Sequence, residues 1–142
     1  MRSLGLAIKK NEISYCVVDG DSMDNSSIVE IGKQNFRVES SGLMLDFYNI
    51  FLELLTKYKP DSVSYKLSLE IKMGQIPYLH YPLGILNLLC LQQSIPTIER
   101  SSKWISAGKK VKIINFEKKF VEMVLKNEQL AAAVIAWYGL GE

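Results

Sequence analysis

The carboxylates able to do acid–base or metal chemistry are scattered along the chain. Glu128 opens the C-terminal stretch NEQLAAAVIAWYGLGE, while Glu70 and Glu99 follow the apolar runs DSVSYKLSL and SIPTI. A carboxylate brought to a site from such an element can act as a ligand for a hard divalent cation. Each acid also has a plainer reading. With Asn127 as N-cap, Glu128 is a first-turn residue favoured by the helix dipole and free amides, and Glu70 and Glu99 read as solvated strand-end residues. The segment DGDSMDNSSIVE places Asp19, Asp21 and Glu30 at the first, third and twelfth positions of a calcium loop. Met23 stands at the fifth and Asp24 at the sixth, where the loop needs glycine, so the segment reads as a solvated turn. His80, the single histidine, sits in PYLHYP with no matching Cys, Ser or Asp motif and reads as a stacked or hydrogen-bonded loop residue.

A second set of residues could bind rather than cut. Arg100, Lys103, Lys109, Lys110, Lys112, Lys118 and Lys119 are opposed within their stretch only by Glu117, with Trp104 among them. Such a patch neutralises phosphates while an indole stacks on a base; the alternative is a solvated helix face beside a buried tryptophan. No GxxxxGK[ST] or GxGxxG motif occurs, which removes a phosphate loop.

The whole chain carries 17 basic and 15 acidic residues, but residues 1–70 hold 8 and 10 and residues 71–142 hold 9 and 5, so the C-terminal half is the basic one. At 142 residues and 48% hydrophobic the expectation is one domain, residues 1–142, with a full core. Cys16 and Cys90 lie in apolar runs without CxxC spacing and read as buried free thiols. No run reaches the roughly 20 apolar residues of a membrane span and no signal peptide is evident, so the expected location is the cytoplasm, with no membrane partner.

The elements that must position these residues follow from periodicity. Ser3–Ile8 and Ile13–Val18 predict a hairpin turned at Asn11–Glu12, and residues 27–38 a third antiparallel strand. Residues 40–59 predict a helix capped by Ser40 or Ser41 and stopped at Pro60, and residues 61–69 a strand. Residues 70–81 read as a loop, a helix starts at Pro82, and Thr97–Glu99 form a short strand. Phe116, Phe120, Met123 and Val124 predict a helix, and the alanine-rich stretch from Asn127 another.

This order resembles the ribonuclease-H-like fold, and within it the RuvC-type Holliday-junction resolvases. SLGLAIKKNEISYCVV is similar to their opening hairpin, KPDSVSYKL to the central strand, ISAGKKV to the segment before the late helix, and NEQLAAAVIAWYGL to the final acid-started helix. The resemblance implies an α/β fold: a mixed five-stranded sheet, three antiparallel strands then parallel ones, flanked by helices. It also implies two metals held by acids from the first strand, the central strand and the last helix. Those places fall on Ala7, on Lys66 (Leu67 if the register slips by one), and on Glu128 and Ala131. The resemblance therefore implies a catalytically degenerate domain with no cofactor, binding DNA or RNA or serving as a scaffold through Arg100, Lys103, Trp104, Lys109, Lys110 and Lys112, and pairing as a homodimer. Two other readings stay open: a magnesium- or manganese-dependent nuclease with a rearranged acid set including Glu128 and Glu70, and a protein-interaction module presenting Tyr78, Tyr81 and the helix around Leu86.

Overall fold

The computed structural model describes residues 1–141. Strand β1 (Arg2–Lys9) pairs antiparallel with β2 (Glu12–Gly20), and β2 pairs with β3 (Ser26–Asn35). Strand β4 (Ser62–Leu67) joins the other side of β1 in parallel and β5 (Thr97–Ser101) extends the sheet, giving the order β3-β2-β1-β4-β5. The mixed five-stranded sheet is the one the sequence predicts. Its two central strands, β1 and β2, are buried for six consecutive residues each, because layers cover both faces.

The pleat divides the side chains between those layers. Leu4, Leu6, Ile8, Tyr15, Val17 and Val63 face one core, built against Phe47, Phe51 and Leu55 of helix α1 (Leu43–Tyr58) and Leu86 and Leu89 of α3 (Tyr81–Gln92). Ala7, Cys16 and Val18 face the other, built against α5 (Asn127–Tyr138) and Ile105 and Phe116 of α4 (Ser102–Lys119). Both thiols are buried as expected, and loss of solvation pushes Cys16 up to about 12 and Cys90 up to about 11.

Several boundaries differ from expectation. The hairpin turns on Lys10 and Asn11 rather than Asn11–Glu12, because Lys9 already pairs with Glu12; Asn11 takes a left-handed φ of 66°, which asparagine tolerates better than most residues. Strand β3 stops at Asn35, and Phe36 turns inward onto Phe47, with ring centroids 4.6 Å apart. Helix α1 begins after Gly42 without a side-chain cap; Ser40 Oγ instead accepts from the Gly42 amide. The predicted loop of residues 70–81 contains a 3₁₀ turn, Met73–Gln75, and a short helix α2 (Ile76–Leu79), since Pro77 sits in a first turn where its missing donor is harmless. Helix α4 ends at Lys119, so Met123 and Val124 lie beyond it and Val124 is 83% exposed. The turn from Asp21 to Asn25 is held from below: Trp137 Nε1 donates to the Met23 carbonyl at 2.8 Å, and Lys119 Nζ to that of Asp24 at 2.7 Å.

The tightest packing is that of α5 on β1. A methyl group at Gly5 would overlap the Ala132 carbonyl oxygen and come within 2.8 Å of Ala136 Cβ, whereas one at Gly84, on the outer face of α3, would meet nothing within 4 Å. Gly5→Ala is expected to destabilise the protein by about 2–3 kcal/mol through overpacking against backbone. Gly84→Ala is expected to be neutral or to stabilise by up to about 1 kcal/mol. Urea midpoints of the two variants check both signs.

Candidate functional site

Helix α5 runs along β1 in the opposite direction. Gly139 lies against Ser3 and Ser64, Ala132 and Ala136 lie over Gly5, and Ala7 shares a core with Ala131. The floor beneath the helix is made of small residues: Ser3, Gly5 and Ala7 of β1, Ser14 of β2, Ser62 and Ser64 of β4. The four serines are buried and none of their hydroxyls finds a hydrogen-bond partner among the described residues. Serine serves here for its volume, which lets the backbone of α5 approach the sheet.

At the far end of this floor the first turn of α5 reaches the C-terminal end of β4. Lys66 alternates with Ser62 and Ser64 and so points to the α5 side, where its Nζ donates to Glu128 Oε2 at 2.9 Å. The side chains are 18% and 19% exposed, shielded enough for the pair to hold together in water. All four places that the resemblance assigns to metal-holding acids thus converge, and they contain two methyl groups, one ammonium and one carboxylate. That carboxylate has the ammonium as its counter-ion. Asn127 makes no side-chain cap; it takes φ 52°, and Lys126 stands at the cap position, so the expected cap is replaced by an ion pair between elements.

Magnesium and manganese need several hard oxygen ligands. The donor set here does not fit them, because a cation already occupies the single carboxylate and Ala7 and Ala131 supply no oxygen. No group of three or more His, Cys, Asp or Glu able to hold a metal occurs among the described residues. Glu70 is exposed and lines a cleft of about 320 Å³ that shares Lys66 with a second cleft of about 220 Å³ lined by Glu128. The two acids therefore flank the ammonium. Glu99 is not simply solvated: it points to the opposite face and accepts from Tyr65 OH at 3.1 Å, next to Asn87.

The basic residues split into two groups. Lys66 pairs in register with Arg100 on β5, and Arg100 and Lys112 both lie over the Trp104 ring, 4.2 and 4.5 Å from its centroid. Tyr138 meets the same ring edge-on at 5.6 Å. The indole therefore gathers two cations. Lys103 is exposed beside this cluster and lines the cleft that contains Glu70. Lys109 and Lys110 form the second group. Residues 107–110 interrupt α4, and Gly108, Lys109 and Lys110 take φ of 64°, 56° and 63°, a left-handed turn that costs about 1–2 kcal/mol for each non-glycine residue.

The remaining candidates are structural. His80 Nε2 donates to the Ser68 carbonyl at 2.7 Å, the hydrogen-bonded histidine expected. Of the proposed contact face, Tyr78 and Leu86 are buried and Tyr81 is exposed; the outward residues of α3 are Tyr81, Gly84, Leu88 and Leu91. No local pattern in the sequence gives Lys66 its partner, and the resemblance marks its position only as one where an acid is expected. The one available signal was that Lys66 is the sole charge in β4 and falls on the face of Ser62 and Ser64.

No protein-family model matches the chain, and no curated protein sequence matches it. Solved structures do. The chain is similar to Thermus thermophilus RuvC in complex with Holliday junction substrate, with a TM-score of 0.77 at 13% identity over 99% of this chain and 95% of that one. A second Thermus thermophilus RuvC structure gives 0.72 at 13% identity over 96% and 92%. The yeast mitochondrial Holliday junction resolvase Ydc2 gives 0.63 at 13% identity over 96% and 76%. At these identities the likeness establishes architecture, and with the strand order and the α5 packing it leads to one conclusion: the chain has the ribonuclease-H-like fold in its RuvC-type form.

Proposed function

We propose that this chain is a catalytically degenerate RuvC-like domain that binds DNA or RNA without cutting it, as an accessory or scaffold protein of nucleic-acid metabolism in the cytoplasm. The observation that carries this reading is the Lys66–Glu128 ion pair, which sets an ammonium in the place where the fold's nucleases need acids. Binding is supported by the side of the fold on which the cations collect. Lys103 lines a cleft together with Lys66, Arg100 stands beside Lys66 in the next strand and shares the Trp104 ring with Lys112, and Lys109 and Lys110 are exposed at the break in α4. A structural neighbour carries a Holliday junction substrate.

The homodimer of this reading is assigned to the outer face of α3. Tyr81, Gly84, Leu88 and Leu91 form one stripe at helical spacing, with Tyr81 60% and Leu91 76% exposed, and no charged side chain occurs between Lys72 and Glu99. An uncharged stripe meets its own copy without like-charge repulsion. Sedimentation is expected to show a dimer that Leu88→Lys with Leu91→Glu converts to monomer; a monomeric parent protein contradicts the assignment.

For the binding itself, labelled four-way-junction DNA, single-stranded DNA and RNA are incubated with the protein in magnesium or manganese across a salt series. Binding that weakens steeply with salt, with no cleavage product, is expected. Changing Lys109, Lys110 and Lys112 together to Ala is expected to lower the magnitude of the salt slope by about 3 on duplex substrate. Metal-dependent cleavage abolished by Glu128→Ala would instead establish a nuclease.

A further inference from the structure

The two clefts beside β4 adjoin each other. Both are lined by Lys66 and Ser102, one continuing past Asn127, Glu128 and Ala131 and the other past Ser68, Glu70 and Lys103. Lys66 therefore stands where the two clefts adjoin, and a chain laid along the groove they form together passes over its ammonium. The ammonium is the most shielded cation along it, and Arg100 stands beside it in the next strand. Ser68 and Ser102 also line the clefts, whereas the Ser106 hydroxyl donates to the Ser102 carbonyl at 3.1 Å.

We propose that this groove is a metal-independent phosphodiester site in which the Lys66 ammonium does the electrostatic work that divalent ions do elsewhere in the fold. The inference rests on the nucleic-acid reading above and goes further, because it names the atom that holds the phosphate and the group that competes for it. In the free protein Glu128 neutralises Lys66 at 2.9 Å. On binding, a non-bridging phosphate oxygen takes the ammonium from the carboxylate. No bond is made or broken, and the lysine cannot activate water as a bound metal does, so the strand stays intact. Glu128 is then a gate: it prevents a buried, unpaired ammonium when the groove is empty, and it lowers affinity when the groove fills.

This exchange gives the two partners opposite effects, which a purely structural ion pair does not. The test is fluorescence anisotropy of labelled four-way-junction DNA with the full chain, in EDTA and in magnesium. The parent protein is expected to bind in EDTA, and magnesium is expected not to strengthen the binding. Lys66→Gln is expected to weaken binding about tenfold, the size of one charge-assisted contact, and to lower the magnitude of the salt slope by about 1. Glu128→Gln is expected to tighten binding severalfold, and Lys66→Arg to retain it. Thermal unfolding of each variant confirms the fold, and the Glu128→Gln and Lys66→Arg results decide the matter if Lys66→Gln does not fold. Parent-level binding by both Gln variants, weakening by both, or a requirement for magnesium overturns this inference while leaving the basic surface as the binding site. Absence of binding by the parent protein under any condition overturns the inference and the nucleic-acid reading together.

Discussion

Helix α5 can lie against the sheet only because nothing at Gly5 stands in its way. The Ala132 carbonyl and Ala136 methyl occupy the space a side chain on β1 would need, and the serines and alanines around Gly5 continue that low floor along the helix. The alanines of the C-terminal stretch are the other half of the same contact. Dispersion gains depend on such close approach, and a helix held this near the backbone has little freedom to slide or rotate. Where α5 sits along β1 therefore fixes what its first turn can touch.

What it touches is Lys66. With Gly139 over Ser3 and Ala136 over Gly5, the helix start falls opposite Ala7 and the end of β4, and Glu128 reaches across to the ammonium. The same closeness that would bring an acid from the last helix to acids from two strands here brings one acid to a base. The groups assembled at this place form an ion pair rather than a cluster of acids. The neighbouring cations follow the same geometry: β5 places Arg100 beside Lys66, and Trp104 holds Arg100 and Lys112 together over its ring, on the side of the molecule where the clefts open.

Much of this was legible in the sequence, for reasons of period and volume. Alternation in β1, β2 and β4 is long enough to declare strands, the apolar spacing of Phe47, Phe51, Leu54 and Leu55 declares α1, and three consecutive alanines declare close packing. The likeness to the RuvC-type fold rested on these features and agrees with the structural neighbours. The illegible parts depend on tertiary context. Nothing local announces that Lys109 and Lys110, neither of them glycine, adopt left-handed backbone and break α4, or that the helical spacing from Phe116 through Phe120 to Met123 and Val124 ends at Lys119. Pro77 and Gly74 read as loop markers, although a proline in a first turn is compatible with the short helix found there. The pairing of Lys66 with Glu128 spans 62 residues and exists only once α5 has docked.

In the reading proposed above, Lys66 and Glu128 hold each other at this site in place of a divalent ion. A double-mutant cycle on the two residues, with Lys66→Gln, Glu128→Gln and both together unfolded in urea with and without magnesium, measures that directly. The account predicts a favourable coupling of about 1 kcal/mol or more, as for a partly shielded charge-assisted contact, unchanged by the metal. No coupling between the two side chains, together with stabilisation of the parent protein by magnesium that Glu128→Gln removes, would mean that the carboxylate is free for a metal and would contradict it.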